Sequence, residues 1–344
     1  MNGRNRWLHQ LVVWPWTMDD GRWTLIVCLF MSGCAASNKL MAVNVAVGDL
    51  RAQPNTRSAA ETRDPLQETQ LLYGERVRVL KVQEGWAAVE AIEQPEFTHA
   101  KRWQGYPGWI PLSLLSPWDA LRDPNIVIIQ PWACGWHDPY KLTPSVWEFP
   151  LGTYLRATDM GGQLWKVELL DGEIVWVAST DAQALSALGA LPPMEKRRMV
   201  VSRAQRVIGS RYDWGGRSPR LDAPGAPVRL RGQVTGMDCS GLVNLAYRAT
   251  GVRISRDAHE QFLRARPVAT PQMADLIFLS ERNHPQRIVH VMLYAGAGEV
   301  IEGPGTGFAV RRIAVVKRLG RAIETLAPGD VVDGQTIVFG SYLP

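Results

Sequence analysis

Hydrophobic positions between residues 40 and 185 recur mainly at every second residue, in short runs separated by turns that contain glycine or proline. This alternation predicts β-strands with one buried face, as in "RVRVLKV" (76–82) and "WAAVEAI" (86–92). A second series follows the same plan, with "NIVIIQ", "GTYLRATD", "LWKVELL" and "EIVWVAS". The repetition predicts two small β domains of similar size, at residues 40–116 and 118–186.

The pattern changes near residue 190, where apolar residues begin to recur at helical spacing. Helices are predicted after residue 192 and over 239–250 and 257–265. Strands are predicted at 275–280, 288–295, 299–303, 308–315 and 336–343. The run "RRIAVVKR" (311–318) alternates, which predicts a strand with solvated basic residues. Helices followed by an antiparallel meander predict an α+β domain over residues 190–344.

Composition limits the class of protein. A chain of 344 residues is too long for one core and is expected to form two or three domains. The hydrophobic content of 46% with 21% charged residues is typical of a globular protein. The formal net charge of +5 is spread along the chain without a long block of one sign, which favours weak attraction to anionic surfaces and says little about nucleic acid. We predict no nucleic-acid partner.

The N-terminal segment predicts export. Residues 23–33, "WTLIVCLFMSG", are apolar but short for a membrane span, and arginines precede them, as in a signal peptide. The ending "FMSGC" resembles a bacterial lipobox in which Cys34 is lipidated, with Met31 where leucine is usual. We predict a signal segment over residues 1–34 and a periplasmic or cell-envelope location, with Cys34 as the lipid-attachment site. The alternative is an uncleaved membrane anchor.

Cys239 is the candidate nucleophile. It follows Asp238, a good helix N-cap, and precedes a stripe of apolar residues at helical spacing. Backbone N–H groups and the helix dipole at a helix start favour a thiolate, and the same groups can hold an oxyanion during acyl transfer. The alternative reading is a small, packed core residue.

A thiolate nucleophile needs a base, and several histidines are available. The candidates are His137, His259, His284 and His290. His290 lies in the middle of a predicted strand, on the face shared by Ile288 and Met292, where a polar ring requires a partner. A three-residue hairpin loop at 295–297 places His290 opposite Glu302 on the same face. The three side chains then form a nucleophile, a base and an orienting carboxylate. The alternative is a satisfied histidine in a partly buried strand.

Five segments together resemble the NlpC/P60 family of cell-wall cysteine peptidases, and they occur in that family's order. They are "YDWGGRSP", "MDCSGLVNLAY", "GVRISRDAHEQ", "ADLIFLS" and "HVMLYAG". The resemblance implies a papain-like fold, cleavage of peptide bonds in peptidoglycan stems, Cys239 as nucleophile and His290 as general base. The third position is usually His, Asn or Gln in the family, and this chain departs from that pattern with Glu302.

The two β units resemble bacterial SH3-like domains. Their combination with the peptidase domain is similar to the subgroup of γ-D-glutamyl-L-diamino-acid endopeptidases. The resemblance implies that the first unit closes one end of the cleft and that a tyrosine there helps to bind the free amine of the stem's L-Ala. The matching positions are Tyr106, Asp238 and Ser240, and Glu75 is the candidate acid of the first unit. An ammonium among such groups would select peptides with a free N-terminus.

The sequence thus predicts an exported cysteine endopeptidase that acts on peptidoglycan-derived peptides without a metal or cofactor. No HExxH motif, paired CxxC motif or acidic calcium loop occurs in it. Two rivals are a cysteine-dependent amidase or acyltransferase and a non-catalytic wall-binding protein. Glu302, in place of the usual residue, is the feature that favours the non-catalytic protein.

Overall fold

The computed structural model describes residues 38–56, 64–119, 123–140, 147–219 and 236–344. The predicted signal segment and its Cys34 lie outside these residues. Within the described part of the chain, no helix is long and apolar enough to cross a membrane. The architecture is a mixture of helices and strands in which strands predominate.

The first β unit is an antiparallel sheet of seven strands in the order β3-β2-β6-β5-β4-β1-β7. Its strands are β1 (Lys39–Val43), β2 (Val47–Arg51), β3 (Gln67–Leu72), β4 (Arg76–Gln83), β5 (Trp86–Glu96), β6 (Gln104–Pro111) and β7 (Leu115–Pro117). Alternate residues of β4 and β5, such as Val77, Val79 and Val89, are buried in the core of this unit. The predicted strands at 76–82 and 86–92 are therefore confirmed.

The second β unit contains a five-stranded sheet in the order β13-β12-β11-β8-β14 and a two-stranded sheet. Its strands are β8 (Ile126–Ile128), β9 (Trp132–Gly135), β10 (Trp147–Pro150), β11 (Tyr154–Gly161), β12 (Leu164–Glu168), β13 (Ile174–Ala178) and β14 (Ala182–Ala184). Phe149, Val167 and Val175 are among the fully buried residues of its core. Tyr73, from the first unit, packs into this core, so the two units share apolar contacts.

The third part of the chain packs helices against an antiparallel sheet in the order β17-β23-β18-β19-β20-β21. The helices are α1 (Leu185–Gly189), α2 (Pro193–Gln205), α3 (Cys239–Arg248), α4 (Ala258–Arg264) and α5 (Val315–Leu319). The strands are β15 (Arg217–Ser218), β16 (Gly236–Met237), β17 (Arg266–Pro267), β18 (Leu276–Glu281), β19 (His284–Gly296), β20 (Glu299–Glu302), β21 (Arg311–Ala314), β22 (Val331–Val332) and β23 (Gln335–Ser341).

Helix α3 lies at the centre of the largest hydrophobic core, and every one of its residues is buried. Its apolar residues pack with α2, with the sheet and with residues from both β units, such as Leu72 and Leu151. Burial on all sides fixes the position of the helix start, since few alternative packings fill the same volume. The element that carries Cys239 is therefore held by all three parts of the chain.

The prediction for residues 311–318 is wrong in its second half. The strand β21 ends at Ala314, and residues Val315–Leu319 form the short helix α5, which ends at Gly320 with φ of 71°. Val315 and Leu319 are buried four residues apart, a helical spacing that the alternating pattern concealed. Arg311 and Arg318 are also not simply solvated, because both bind Glu302.

Candidate active site

Cys239 is the first residue of α3 and lines a cleft of about 920 Å³. Asp238 caps the helix, since its Oδ1 accepts a hydrogen bond of 2.6 Å from the N–H of Gly241. A side chain at position 241 would collide with the carbonyl oxygen of Gly216, so glycine is required for this close approach. The thiol is 8% exposed, and neither Cys239 nor Cys134 forms a disulfide in the described part of the chain.

His290 lies on β19 between the thiol and a buried carboxylate. Its Nε2 is 2.8 Å from Oε2 of Glu302, and Cys239 lies close enough to the ring to raise its pKa. Because Nε2 is used by Glu302, Nδ1 is the nitrogen that remains for the thiol. Burial opposes protonation, but the charges of Cys239 and Glu302 and their hydrogen bonds raise the pKa of His290 to about 9. An imidazolium beside a thiolate is the arrangement that activates a cysteine nucleophile.

The predicted proximity of His290 and Glu302 is reproduced, with a different register. The sheet pairs Leu293 with Ile301 and Tyr294 with Val300, so continuing the ladder puts Glu302 opposite Met292, diagonal to His290. The hairpin differs from the expected three-residue loop because the pairing is irregular between Tyr294 and Gly296. Side chains two residues apart on a strand share a face, so Glu302 still reaches the imidazole.

Asp238 and Ser240, which flank the nucleophile, both line the cleft. Their polar atoms bind Arg256, a fully buried residue whose guanidinium donates to both carboxylate oxygens of Asp238 at 2.7 and 3.0 Å and to Oγ of Ser240 at 2.9 Å. Ser240 in turn donates to Asp238 at 3.1 Å. These contacts stiffen the turn that precedes Cys239.

Glu68, Tyr106 and Asp257 form an acidic corner in the lining of the cleft. The hydroxyl of Tyr106, from β6, lies 2.9 Å from a carboxylate oxygen of Asp257 and 3.3 Å from one of Glu68. Burial and the two neighbouring carboxylates raise the pKa of Tyr106 well above its usual value, so the phenol stays protonated. His99 lies beside the corner, and its hydrogen bond with Glu68 raises the pKa of His99 to about 9.

The structure corrects the prediction for Glu75. Its carboxylate is buried, 1% exposed, and does not line the cleft. It binds Arg217 at 2.9 and 3.1 Å and Gln94 at 2.9 Å, and Arg248 lies 3.5 Å away. The acid that the first β unit contributes to the cleft is Glu68. Glu75 follows the turn after β3, whereas Glu68 lies on β3 itself.

Two functional candidates were missed at the sequence level. Asp257 follows Arg256 in the "SRD" stretch of the family-like segment, so the sequence does carry a signal for it. The same segment contains His259, which is the more obvious chemical candidate. Glu68 lies in "QETQ" (67–70), where a solvated strand acid is indistinguishable from a cleft acid. His259 does line the cleft, and its Nδ1 accepts from the N–H of Ile288 at 3.3 Å.

A helix-borne thiol that faces a sheet-borne imidazole is the arrangement of cysteine peptidases. Residues 209–319 match the NlpC/P60 family model. The chain therefore contains a domain of the NlpC/P60 family and is a cysteine peptidase.

Two curated relatives are named gamma-D-glutamyl-L-lysine dipeptidyl-peptidase. The one from Bacillus cereus is 26% identical over 243 residues, which are 69% of this chain and 67% of the relative. The one from Bacillus subtilis is 26% identical over 258 residues, 74% of this chain and 78% of the relative. An NlpC/P60 family protein from Bacillus cereus has a solved structure that superposes with a TM-score of 0.70 at 21% identity, covering 89% of this chain and all of that one. The overall fold is therefore shared with that protein.

Proposed function

We propose that this protein cleaves the γ-D-glutamyl–L-diamino-acid bond of peptidoglycan stem peptides that carry a free N-terminal L-Ala. The observation that carries the proposal is the cleft, which is lined by Cys239 and by Glu68, Tyr106 and Asp257, with His290 beside the thiol. The relatives named gamma-D-glutamyl-L-lysine dipeptidyl-peptidase support the same bond.

The chemistry of the proposal uses the thiol and the imidazole in turn. The sulfur of Cys239 adds to the γ-carbonyl carbon of the D-glutamyl residue, and backbone N–H groups at the start of α3 stabilise the oxyanion. The C–N bond then breaks, and the leaving amine takes a proton from His290. Water gives a proton to His290 and attacks the thioester, which releases the acyl product and restores the thiol. Glu302 holds the imidazole through Nε2 in both steps.

The acidic corner suits an ammonium group. Glu68 and Asp257 converge on the hydroxyl of Tyr106, so a cation placed there meets two carboxylates and one hydroxyl. Charge-assisted hydrogen bonds of this kind discriminate strongly, because a neutral acylated nitrogen cannot form them.

The two β units are proposed to be SH3-like domains at residues 40–116 and 118–186, ahead of a papain-like domain at 190–344. Their antiparallel strands and small, separate cores support this division. The first unit contributes Glu68, Thr98, His99 and Tyr106 to the cleft, which gives it a part in substrate selection. Export, with Cys34 as a lipid-attachment site, is proposed because peptidoglycan lies outside the cytoplasm.

The proposal is tested with a synthetic tripeptide, L-Ala-γ-D-Glu-L-diamino acid, assayed beside its N-acetylated form by mass spectrometry. We expect hydrolysis of the γ-glutamyl bond in the free peptide and a kcat/KM about 100-fold lower for the acetylated one, since the ammonium forms two charge-assisted hydrogen bonds worth about 1.5 kcal/mol each that the acetylated nitrogen does not form. Equal turnover of both peptides would favour an amidase or acyltransferase without amine selection. No turnover of either, together with binding to isolated cell wall, would favour a non-catalytic wall-binding protein.

The pH dependence of kcat/KM should reveal the titration of the Asp257 carboxyl. Burial raises the pKa of Asp257 to about 7; the Arg256 charge opposes this shift, and the charges of Asp238 and Glu260 add to it. Its carboxyl is therefore protonated at lower pH and cannot pair with an ammonium. We expect kcat/KM for the free tripeptide to fall by roughly fivefold from pH 7 to pH 6, since about nine in ten of the carboxyls are then protonated.

The control for this pH profile is Asp257→Asn, measured over the same range. The variant should have a low kcat/KM throughout and should lack the limb near pH 7. A variant that keeps the limb unchanged would assign it to another group and would remove Asp257 from the amine site.

A further inference from the structure

Glu302 is a fully buried carboxylate that serves three partners at once. Oε2 lies 2.8 Å from Nε2 of His290 and accepts from Nε of Arg318 at 3.0 Å. Oε1 accepts from Nε of Arg318 at 3.1 Å and from Nε and a terminal nitrogen of Arg311 at 3.1 and 2.7 Å. Both oxygens are thus held in place by cations.

Burial alone would favour the neutral, protonated form of Glu302. A protonated Glu302 could no longer act as the ionised hydrogen-bond acceptor for His290. Desolvation does act in this direction, but the hydrogen bond and charge of His290 and the two guanidiniums outweigh it and lower the pKa of Glu302 to about 2. The carboxylate therefore stays ionised at every pH at which the enzyme could work.

The two arginines share Oε1, but only Arg318 also binds Oε2. Arg318 shares Oε2 with His290, so its positive charge weakens the attraction between that oxygen and the imidazolium. Arg311 binds only Oε1, the oxygen remote from the imidazole, and fixes the rotation of the carboxylate. The side chain of Arg318 is 24% exposed and that of Arg311 is 39% exposed, so solvent screens each charge only in part.

We propose that Arg311 and Arg318 are positioning residues of the catalytic centre. Arg311 orients the carboxylate of Glu302, and Arg318 limits how strongly that carboxylate holds the proton of His290. This inference deepens the proposed function and rests on the role it gives to the Cys239–His290 pair. The charged groups that face His290 and Glu302 are Cys239 on α3, Arg311 on β21 and Arg318 on α5.

The chain offers a matched control on the same strand. Arg312 follows Arg311 on β21 and pairs with Glu299 at 2.5 Å, outside the Glu302 cluster. Its side chain is 37% exposed, close to that of Arg311. Arg312→Gln therefore removes one positive charge at a similar depth without touching Glu302.

The test measures the full chain in two ways. The first is the pH profile of kcat/KM on the free tripeptide, and the second is an NMR titration of the labelled His290 ring, assigned with His290→Gln. In Arg318→Gln we expect both the alkaline limb and the imidazole titration to move upward by about one pH unit, because a cation beside the imidazolium has been removed. Arg311→Gln should move them less, Arg312→Gln should leave them in place, and Arg318→Lys should restore most of the wild-type position.

Two outcomes would overturn the proposal about the arginines. A fall in kcat for Arg318→Gln with an unmoved titration, or a shift equal to that of Arg312→Gln, would overturn the proposal and leave the arginines a structural role. Circular dichroism identifies a variant that does not fold. If Arg318→Gln does not fold, Arg311→Gln provides the comparison, and a titration that moves no further than that of Arg312→Gln would count against the proposal. Because the NMR titration needs no substrate, a wild-type protein that hydrolyses no stem peptide would refute the proposed function without deciding this one.

Discussion

Replacement of Cys239 by alanine is expected to lower the hydrolysis of the free tripeptide by at least about 10⁴-fold. A nucleophile that acts as one unit with its base cannot be removed without losing nearly all covalent catalysis. The fold should survive, because the helix start is capped by Asp238 rather than by the thiol, and alanine fills most of the same space. The measurement is kcat by mass spectrometry of the products, with circular dichroism as the check on folding.

Cys134 provides the matched control. It is the other cysteine that the structure describes, it lies on β9 in the second β unit, and it does not line the cleft. Cys134→Ala should therefore retain the wild-type rate. Rapid hydrolysis by Cys239→Ala, or equal losses in the two variants, would contradict the assignment of the nucleophile.

The second large effect is on stability. We expect Glu75→Gln to lower the free energy of unfolding by about 3 kcal/mol or more, since removing one partner of a buried ion pair leaves the other charge uncompensated. Glu75 joins Arg217 and Arg248, which come from two elements of the third part of the chain, and Arg248 also binds Glu93 at 3.1 Å. A neutral amide would leave these guanidiniums buried with too little negative charge.

The pH dependence of this stabilisation has a defined sign. Burial opposes ionisation, but Arg217 and Arg248 lower the pKa of Glu75 from 4.5 to about 2. A depressed carboxyl pKa stabilises the folded state above the unfolded value, and the contribution is lost as the pH falls toward 2. The difference in stability between the wild type and Glu75→Gln should accordingly be full at neutral pH and shrink below about pH 4.5.

Glu68→Gln is the matched control, because it makes the same chemical change in the same β unit. Glu68 is half-buried at the cleft, so urea denaturation should show a small change, within about 1 kcal/mol, while kcat/KM for the free-amine tripeptide falls. If instead Glu75→Gln kept full stability and lost selection for the free amine, Glu75 would regain the role that the sequence suggested for it.

The placement of Cys239, His290 and Glu302 close together could be predicted from the sequence because each signal is local. Asp238 before an apolar helical stripe marks the start of α3, and the alternation around His290 marks the inner face of a strand. The position of Glu302 beside His290 could be predicted from the pairing of neighbouring strands, because a short hairpin joins them. The register was two residues off because the turn at 296–298 has positive φ at every residue and an irregular pairing before it.

The acidic corner could not be predicted in the same way. Glu68 and Asp257 are 189 positions apart in the chain and meet only because the first β unit packs against the third part. Glu75 and Glu68 look alike in sequence, and only the surrounding arginines decide which is buried and which lines the cleft. The alternation in 311–318 likewise concealed that Arg318 lies on a helix and binds Glu302. A helix of five residues leaves too little pattern to distinguish it from a strand.

The strand β23 has a consequence for how the catalytic part can be isolated. It lies between β17 and β18 in the sheet, yet it comes from residues 335–341, well beyond the matched segment that ends at residue 319. A recombinant fragment cut at the borders of the family match would lack an interior strand and expose the backbone edge of β18. The smallest piece of this chain that can fold as an enzyme therefore extends to its C-terminal strand.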